Sequence, residues 1–252
     1  MATIEHDSAS SSTGGRHILL VRRGEQVVLR SPLTPAQDLC SVDTTDPPSA
    51  DSTHAFSQCE VLDVSPTLLS PELSSTLEAV PSLKAVRLTV EASEELPRVT
   101  AFPSVPTLVY LSAPESLVDL KPKAGNMGPF PVCSADTRWL VFNFLPASDE
   151  RPTYRPKGRR PNVDHVVCVL HDGAGDEAHF WINWAVRYEI ETTVVLCGGD
   201  FEAKRAALGE QVDLHHIHVQ VLSDSDYKAQ VGNETFAIET QRFLTPEEEA
   251  AT

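Results

Sequence analysis

The stretch from Val163 to Leu222 constrains the fold of this 252-residue chain more than any other, because it repeats one strand-then-helix design three times. Apolar segments that read as strands occur at 164–171, 192–197 and 216–222. Each is followed by a turn with an aspartate, and Asp176, Asp200 and Asp224 are spaced 24 residues apart. Strands that alternate with helix-length segments are typical of a parallel sheet. The sequence therefore predicts an α/β fold.

A second periodic pattern lies earlier in the chain. The pattern P-S-L-x-x-V-x-L that begins at Pro81 returns 22 residues later as P-S-V-x-x-L-x-Y from Pro103. Apolar residues in this phase, at a period of about 20–29 residues, are the signature of leucine-rich repeats. Further strands are predicted at 60–64, 84–90, 107–112 and 138–145. We predict an irregular leucine-rich-repeat-like stack of strand–helix units with a mainly parallel sheet over residues 59–245.

The strands at 165–170 and 193–197 are apolar on both faces, which favours an alternative. Both-face burial is typical of a parallel sheet that helices cover on each side, so a doubly wound α/β sheet is the alternative fold. The strand at 84–90 instead alternates, with Arg87 and Thr89 on its polar face. In a repeat stack we expect Arg87 and Thr89 to face outward and to contact a protein partner.

Helices are predicted after the first two of the three late strands. Asp176 is the candidate N-cap of a helix in which Trp181 and Trp184 recur at helical spacing, so we expect both tryptophans to lie in the core. Asp200 is the candidate N-cap of a second helix over 201–212.

The remaining segments are assigned by composition. Residues 1–15 are rich in Ser, Thr and Gly and are predicted to form a disordered arm. Residues 16–58 are predicted to be poorly ordered, with a small hairpin or an edge strand in His17–Arg30 and a linker after it. A last helix is expected to begin near Asp224 or Asp226 and to cap the open end of the stack. Residues 246–252 are an acidic tail.

Charge, hydropathy and cysteine usage limit the class of protein. The formal net charge is −16, so the chain repels phosphate backbones and we expect no nucleic-acid partner. The loop 151–160 is an exception to this acidic character, because it contains five basic residues. They indicate either a localisation signal or a patch for an anionic partner, or else a solvated loop with no such role. No apolar run approaches the ~18–20 residues that span a bilayer, so no membrane insertion is expected. Five cysteines without a CxxC pair, and no visible secretory signal, indicate an intracellular protein of the cytoplasm or nucleus.

The strand-end turns His171–Asp176 and Gly198–Asp200 are the candidate ligand site, because open α/β sheets bind ligands beyond the carboxyl ends of their strands. The residues available there are His171, Asp172, Gly173, Gly198, Gly199 and Asp200. Neither turn matches G-x-G-x-x-G or G-x-x-x-x-G-K-[ST], and the chain has no G-x-S-x-G nucleophile elbow. Tight turns and helix caps explain these glycines and aspartates more simply.

Three histidines, His215, His216 and His218, are the candidate metal ligands. On a strand His215 faces away from the other two, and no further Cys/His pair follows at metal spacing. We therefore predict no metal site and no cofactor.

Four segments resemble the C-terminal part of fungal F-box proteins, which has irregular leucine-rich-like repeats. The segments are Val80–Leu88, Asp164–Asp172, Thr192–Asp200 and Tyr227–Gly232, and the resemblance covers roughly residues 55–245. In that family the repeats select a substrate, while an N-terminal F-box docks to a ubiquitin-ligase adaptor. Residues 1–58 contain no Leu-Pro-x-Glu-Leu segment of F-box type, so the chain is expected to correspond to a repeat portion without the docking helices.

The expected function is a non-catalytic protein-interaction scaffold with a protein partner whose identity the sequence leaves open. The resemblance implies that it is the substrate-recognition part of an F-box-like protein. The alternative is a small α/β enzyme that uses the strand-end turns 171–176 and 198–200.

Overall fold

The structure of the protein is a computed structural model that describes residues 17–22, 39–44, 56, 59–64, 71–89, 104–112, 133, 136–144, 162–173 and 178–240. These ranges contain the strands β1 (His17–Arg22), β2 (Leu39–Thr44), β3 (Val61–Val64), β4 (Ala85–Thr89), β5 (Thr107–Ser112), β6 (Trp139–Phe144), β7 (His165–Leu170), β8 (Glu191–Leu196) and β9 (Val219–Ser223). They also contain the helices α1 (Pro71–Glu78), α2 (Ala178–Arg187), α3 (Phe201–Gly209) and α4 (Asp224–Thr240). The fold is α/β, and no helix within the described ranges is long and apolar enough to cross a membrane.

All the described strands belong to one parallel sheet with the order β2-β1-β3-β4-β5-β6-β7-β8-β9. From β3 to β9 the spatial order follows the chain order, so each strand lies beside the one that precedes it. The order reverses once, at β1, which lies between β2 and β3. Because the strands are parallel, their amino ends meet at one edge of the sheet, the amino edge, and their carboxyl ends meet at the opposite, carboxyl edge.

The apolar segments of the sequence locate most of the strands well. Strands β3 to β8 each begin and end within one residue of the expected bounds. β9 starts later than expected, at Val219 rather than His216. The reason is a turn in which the Val219 N–H donates a hydrogen bond of 2.9 Å to the His216 carbonyl.

One face of the sheet, the first face, is covered by α1, α2 and α3. Apart from Thr192, its buried strand positions are apolar. They include Tyr110 and Phe142, which stack with 5.7 Å between ring centroids. Trp181 and Trp184 of α2 are buried in the same core, and the ring of Trp181 lies 4.6 Å from that of Phe142. The prediction that both tryptophans are core residues is confirmed.

The opposite face, the second face, is covered by α4. Gly232 interrupts this helix with φ 84° and ψ 165°, a conformation that favours glycine. Ile238, after the interruption, and Tyr227, before it, are both buried against the sheet. Lys84 Nζ, next to β4, lies 3.0 Å from Glu234 Oε1, so the second half of α4 reaches the amino edge. The last helix therefore covers a face of the sheet, whereas the sequence suggested that it caps the open end of the stack.

The N-terminal region differs from expectation. β1 pairs in parallel with β2 on one side and with β3 on the other, so His17–Arg22 belongs neither to a hairpin nor to an edge strand. β2 lies within residues 31–57, which the sequence assigned to a linker. Parallel partners are joined by crossovers rather than by tight turns, so no local turn signal reveals their pairing. The arm 1–15, the basic loop 151–160 and the tail 246–252 lie outside the described residues.

Arg87 was expected to face outward, and this expectation is wrong. Its side chain is 1% exposed, and its Nε lies 3.2 Å from Oδ1 of Asp63, its neighbour on β3. Burial lowers the pKa of Arg87, and the Asp63 carboxylate opposes that shift. Arg87 therefore offers no surface to a partner in this conformation. The side chain of Thr89 lies outside the described part of the chain.

Candidate functional site

The strand-end turns meet at the carboxyl edge, where β7 and β8 end side by side. The Asp172 carboxylate, which follows β7, lies against the glycine pair Gly198 and Gly199, which follows β8. Asp200 comes next and begins α3. The structure thus places the predicted turn residues at one edge: His171, Asp172, Gly173, Gly198, Gly199 and Asp200. Asp176 lies outside the described residues.

Gly198 and Gly199 make the contact with Asp172 possible. Their φ angles are +71° and +57°, in the left-handed region that side chains other than glycine rarely adopt. A Cβ on Gly198 would lie 2.5 Å from Asp172 Oδ2, and a Cβ on Gly199 would lie 2.8 Å from Asp172 Oδ1. Any larger residue at either position would push the Asp172 carboxylate out of its place.

Lys204 on α3 neutralises this carboxylate. Its Nζ forms an ion pair with Asp172 Oδ1 and donates a hydrogen bond of 2.6 Å to the Cys197 carbonyl. Lys204 lies only four residues after the N-cap, near the helix end where the macrodipole disfavours a cation. Asp172 supplies the negative charge that makes this position favourable.

Asp200 acts as the N-cap that the sequence predicts. Its Oδ1 accepts hydrogen bonds from the Glu202 and Ala203 amides at 3.0 and 3.1 Å. Amides at a helix N-terminus are a common binding site for anions, and here the chain's own carboxylate accepts from them.

A cavity of about 270 Å³ opens beside the Asp172–Lys204 pair, between α2 and α3. Its polar lining consists of His171, His179, Lys204 and Gln211, and the rest is mainly leucine and alanine side chains. Ligand pockets usually measure about 300–1,000 Å³, so this cavity accepts only a small molecule.

The cavity offers binding groups but no evident nucleophile. The described residues that line it include no serine, threonine or cysteine. The thiol of Cys197, the residue after β8, is buried on the second face, and burial raises its pKa to about 12. A thiol in that state is protonated at neutral pH and is a weak nucleophile. The arrangement is suited to holding a small polar molecule near two imidazoles and an ammonium group.

A second group of side chains, the amino-edge row, consists of Trp139, His165 and Glu191. They are register neighbours on β6, β7 and β8. Trp139 is 37% exposed, and its ring stacks on His165 with 4.3 Å between centroids. His165 Nε2 lies 2.9 Å from Thr193 Oγ1, and burial lowers the pKa of His165, partly opposed by Glu191. Glu191 Oε1 in turn lies 2.7 Å from Nδ1 of His218.

The three clustered histidines lie in the turn before β9 rather than on the strand. The rings of His216 and His218 are 5.5 Å apart, and His215 is exposed. Within the part of the chain that the structure describes, no three His, Cys, Asp or Glu side chains converge to hold a metal ion.

A third group is buried between α4 and the second face. Glu239 is 1% exposed, and its carboxylate accepts a hydrogen bond from the Tyr227 hydroxyl. Its carbonyl accepts a hydrogen bond of 3.0 Å from Asn143 Nδ2 on β6. Burial raises the pKa of Glu239 to about 7, although the bond from Tyr227 lowers it. This carboxyl group therefore exchanges its proton close to neutral pH.

Sequence reasoning missed Lys204, His179 and Gln211 at the cavity. One signal for Lys204 was available, because the macrodipole disfavours a cation near a helix N-terminus and a nearby carboxylate offsets that effect. His179 and Gln211 have no such signal, since their approach to the cavity depends on how α2 and α3 pack together. The sequence does not decide whether Trp139 lies at an interface or in the core, and the structure leaves its side chain more than one-third exposed.

No protein-family model matches the chain, and searches of curated proteins and of solved structures found no match either. The resemblance to F-box proteins therefore stays a prediction. Function is inferred from the geometry of the described residues.

Proposed function

We propose that the protein is a non-catalytic interaction scaffold that binds a protein partner at the amino edge of its sheet, around Trp139 and His165. The main supporting observation lies at the opposite edge. There, the turns in which an α/β enzyme would bind its ligand are filled by the chain's own side chains.

The filled turns argue against an anionic substrate. The Asp172 carboxylate occupies the glycine pair, and the Asp200 carboxylate accepts from the α3 amides. Lys204, the nearest cation, already pairs with Asp172. In ligand-binding α/β proteins, glycine turns and helix N-termini of this kind hold phosphates or carboxylates. A ligand of that type would have to displace two internal carboxylates here.

The amino edge offers a surface that fits a protein partner. Trp139 and Ile217 are the exposed large hydrophobic side chains among the described residues, and both lie at or next to this edge. Tryptophan is enriched at binding hot spots. Stacking on His165 holds the Trp139 ring in place, so less side-chain entropy is lost on binding. Arg138 and Asp164, 3.5 Å apart, give the surface a polar rim.

The partner that fits best has a basic surface. The chain has a net charge of −16, and complementary charge accelerates encounter and excludes acidic competitors. A finer form of the proposal comes from the resemblance to F-box proteins, in which the repeats select a substrate for ubiquitin ligation. In this finer proposal, the leucine-rich-repeat-like stack recognises the substrate, and the basic partner is that substrate.

The test is cross-linking capture from native cells with the intact chain, the Trp139→Ala variant and an Arg187→Ala control. Arg187 is exposed on α2, which covers the first face, away from Trp139. We expect one stoichiometric protein that Trp139→Ala loses by at least about tenfold, as for removal of a hot spot, and that Arg187→Ala retains. Equal capture by Trp139→Ala, with unchanged thermal unfolding, would contradict the proposal.

The second candidate function is a small α/β enzyme or metabolite-binding protein, and the cavity beside Lys204 favours it. Ligands that bind the native state raise thermal stability, by about 2.7 kcal/mol at a hundred times their dissociation constant. A thermal-shift screen of small polar metabolites tests this. A hit that Lys204→Met abolishes, while Trp139→Ala retains it, would move the function to the carboxyl edge.

A further inference from the structure

The strand β9 ends the described sheet, and within the described residues its only neighbouring strand is β8. Edge strands expose backbone groups that can pair with another chain, and proteins usually protect them with lysine, proline or a bulge. β9 has the sequence Val-Gln-Val-Leu-Ser, which contains neither lysine nor proline. Ile217, two residues before it, is 86% exposed.

The backbone geometry shows which groups of β9 are open. The Thr192 amide donates to the His218 carbonyl at 2.8 Å, so His218 directs its backbone groups toward β8. Alternate residues of a strand direct their backbone groups to the same side. Val219, Val221 and Ser223 therefore direct theirs to the open side, except for the Val219 N–H, which is bonded in the preceding turn.

We propose that two copies of this chain pair through β9, in antiparallel register about a twofold axis at Val221. Each Val221 then donates to, and accepts from, Val221 of the other copy. Each Ser223 amide donates to the Val219 carbonyl of the other copy. This register uses the open backbone groups of the strand except the Ser223 carbonyl, and it joins the two sheets into one. An interface of this kind is self-complementary, as a twofold dimer requires.

Side chains at the ends of β9 select this register. It brings His218, in the turn before β9, towards Asp224, the first residue of α4 in the other copy. A carboxylate thus approaches the imidazole, whose Nδ1 already contacts Glu191, at both ends of the pairing. A register shifted by two residues would place Gln220 there instead. The same pairing brings the exposed Ile217 toward the first turn of α4 in the second copy, which removes apolar surface from water.

The dimer is expected to be weak and to depend on salt. A five-residue strand buries less surface than the roughly 1,200–2,000 Å² of a stable interface. Each copy has a net charge of −16, so the copies repel one another until salt screens the charge. We expect a dissociation constant on the order of 100 μM. This self-association shares Ile217 with the surface at the amino edge but does not use Trp139.

Analytical ultracentrifugation of the purified intact chain, from about 10 μM to about 1 mM, tests the proposal at low and high salt. The dimer fraction should rise with protein and with salt. Val221→Pro should weaken the dimer by at least about tenfold, because two central hydrogen bonds are lost. The monomer should tolerate this proline, since the N–H that it removes faces solvent on an edge strand.

If Val221→Pro does not fold, the Gln220→Lys variant tests whether the dimer forms through β9. Gln220 is exposed on β9, and lysine is the residue that natural edge strands use against pairing. Gln211→Lys is the matched control, since it adds the same charge beside α2, where Asn183 Nδ2 donates to the Gln211 carbonyl. We expect Gln220→Lys to weaken the dimer and Gln211→Lys to leave it unchanged.

Three results would overturn the proposal. One is a monomer at about 1 mM in high salt, and another is a dimer that Val221→Pro and Gln220→Lys both leave intact. The third is a monomeric chain whose β9 instead binds an extended peptide of another protein. The first two are measured without a partner protein, so either of them leaves the proposal at Trp139 untouched.

Discussion

On the first face of the sheet, the strands offer apolar side chains such as Phe142 to α1, α2 and α3, whereas the second face buries charge. Asp63, Arg87 and Asn143 occupy strand positions of the second face, and Glu239 is buried on α4. Each of these polar residues is at most 1% exposed. The second face thus adds buried polar pairs to its apolar contacts with α4.

The difference has a physical consequence. An apolar face tolerates many arrangements of similar volume, because burial has no direction. A buried polar group must meet a particular partner, since leaving it unsatisfied costs about 1–3 kcal/mol. We therefore expect the first face to supply more of the free energy of unfolding, and the second face to fix the position of α4.

The largest expected effect is on the first face. Trp181→Ala should lower the free energy of unfolding by about 3–5 kcal/mol, because it removes a buried large aromatic that contacts Phe142. Urea unfolding measures this. Trp139→Ala is the control and should cost much less, since that side chain is partly exposed. Equal losses would mean that α2 is not packed as described.

A somewhat smaller loss is expected on the second face. Arg87→Met should cost about 3 kcal/mol, because it leaves the Asp63 carboxylate buried without its cation. The double variant Asp63→Leu/Arg87→Met should be close to the wild type or more stable, since an apolar pair needs no compensation. Urea unfolding of both variants measures the coupling. If the double variant is as unstable as Arg87→Met, the ion pair itself stabilises the fold. That result would contradict our expectation that an apolar pair can replace it without loss of stability.

The second face should also respond to pH. Glu239 has an ordinary pKa of 4.5 and a folded pKa of about 7, so the folded state binds its proton more tightly. Its contribution to stability is full below about pH 4.5 and is lost as the pH rises to about 7, at up to about 1.4 kcal/mol per pH unit. Glu239→Gln should flatten this slope in urea unfolding between pH 5 and 7. If the slope of unfolding free energy against pH is unchanged in Glu239→Gln, other titratable groups cause the pH dependence.

The smallest effect is expected at the N-cap of α3. Asp200→Asn should change the free energy of unfolding by no more than a few tenths of a kcal/mol, because Asn caps about as well as Asp. Asp200→Ala should cost about 1 kcal/mol, since two amides then lose their acceptor. Thermal unfolding distinguishes the two. A large loss with Asn would show that the charge of Asp200 matters beyond capping.

The same contrast explains which features the sequence could predict. Strands β3 to β8, the Asp200 cap and the buried tryptophans follow from local patterns of a few residues. They are the elements that build the first face and its helices. Periodicity reports which side of an element is apolar, and on this face nothing else was needed.

The second face could not be predicted in this way. Arg87 alternates with apolar neighbours as an exposed strand residue does, and its burial depends on Asp63, which lies on another strand. Glu239 meets Asn143 across 96 residues of chain. At the carboxyl edge, the turn residues were located by sequence, whereas the pairing of Asp172 with Lys204 depends on the register of β7 and β8.

The glycine break in α4 has a consequence for the order in which the molecule is made. Strands β3 to β9 each add beside their predecessor, so this part of the sheet can grow as the chain leaves the ribosome. The segment after Gly232 makes contacts that are distant in sequence: Glu234 pairs with Lys84, 150 residues earlier in the chain. Until that segment emerges, the part of the second face that α4 covers stays exposed to water. Translation must therefore pass Thr240 before this half of the core can close.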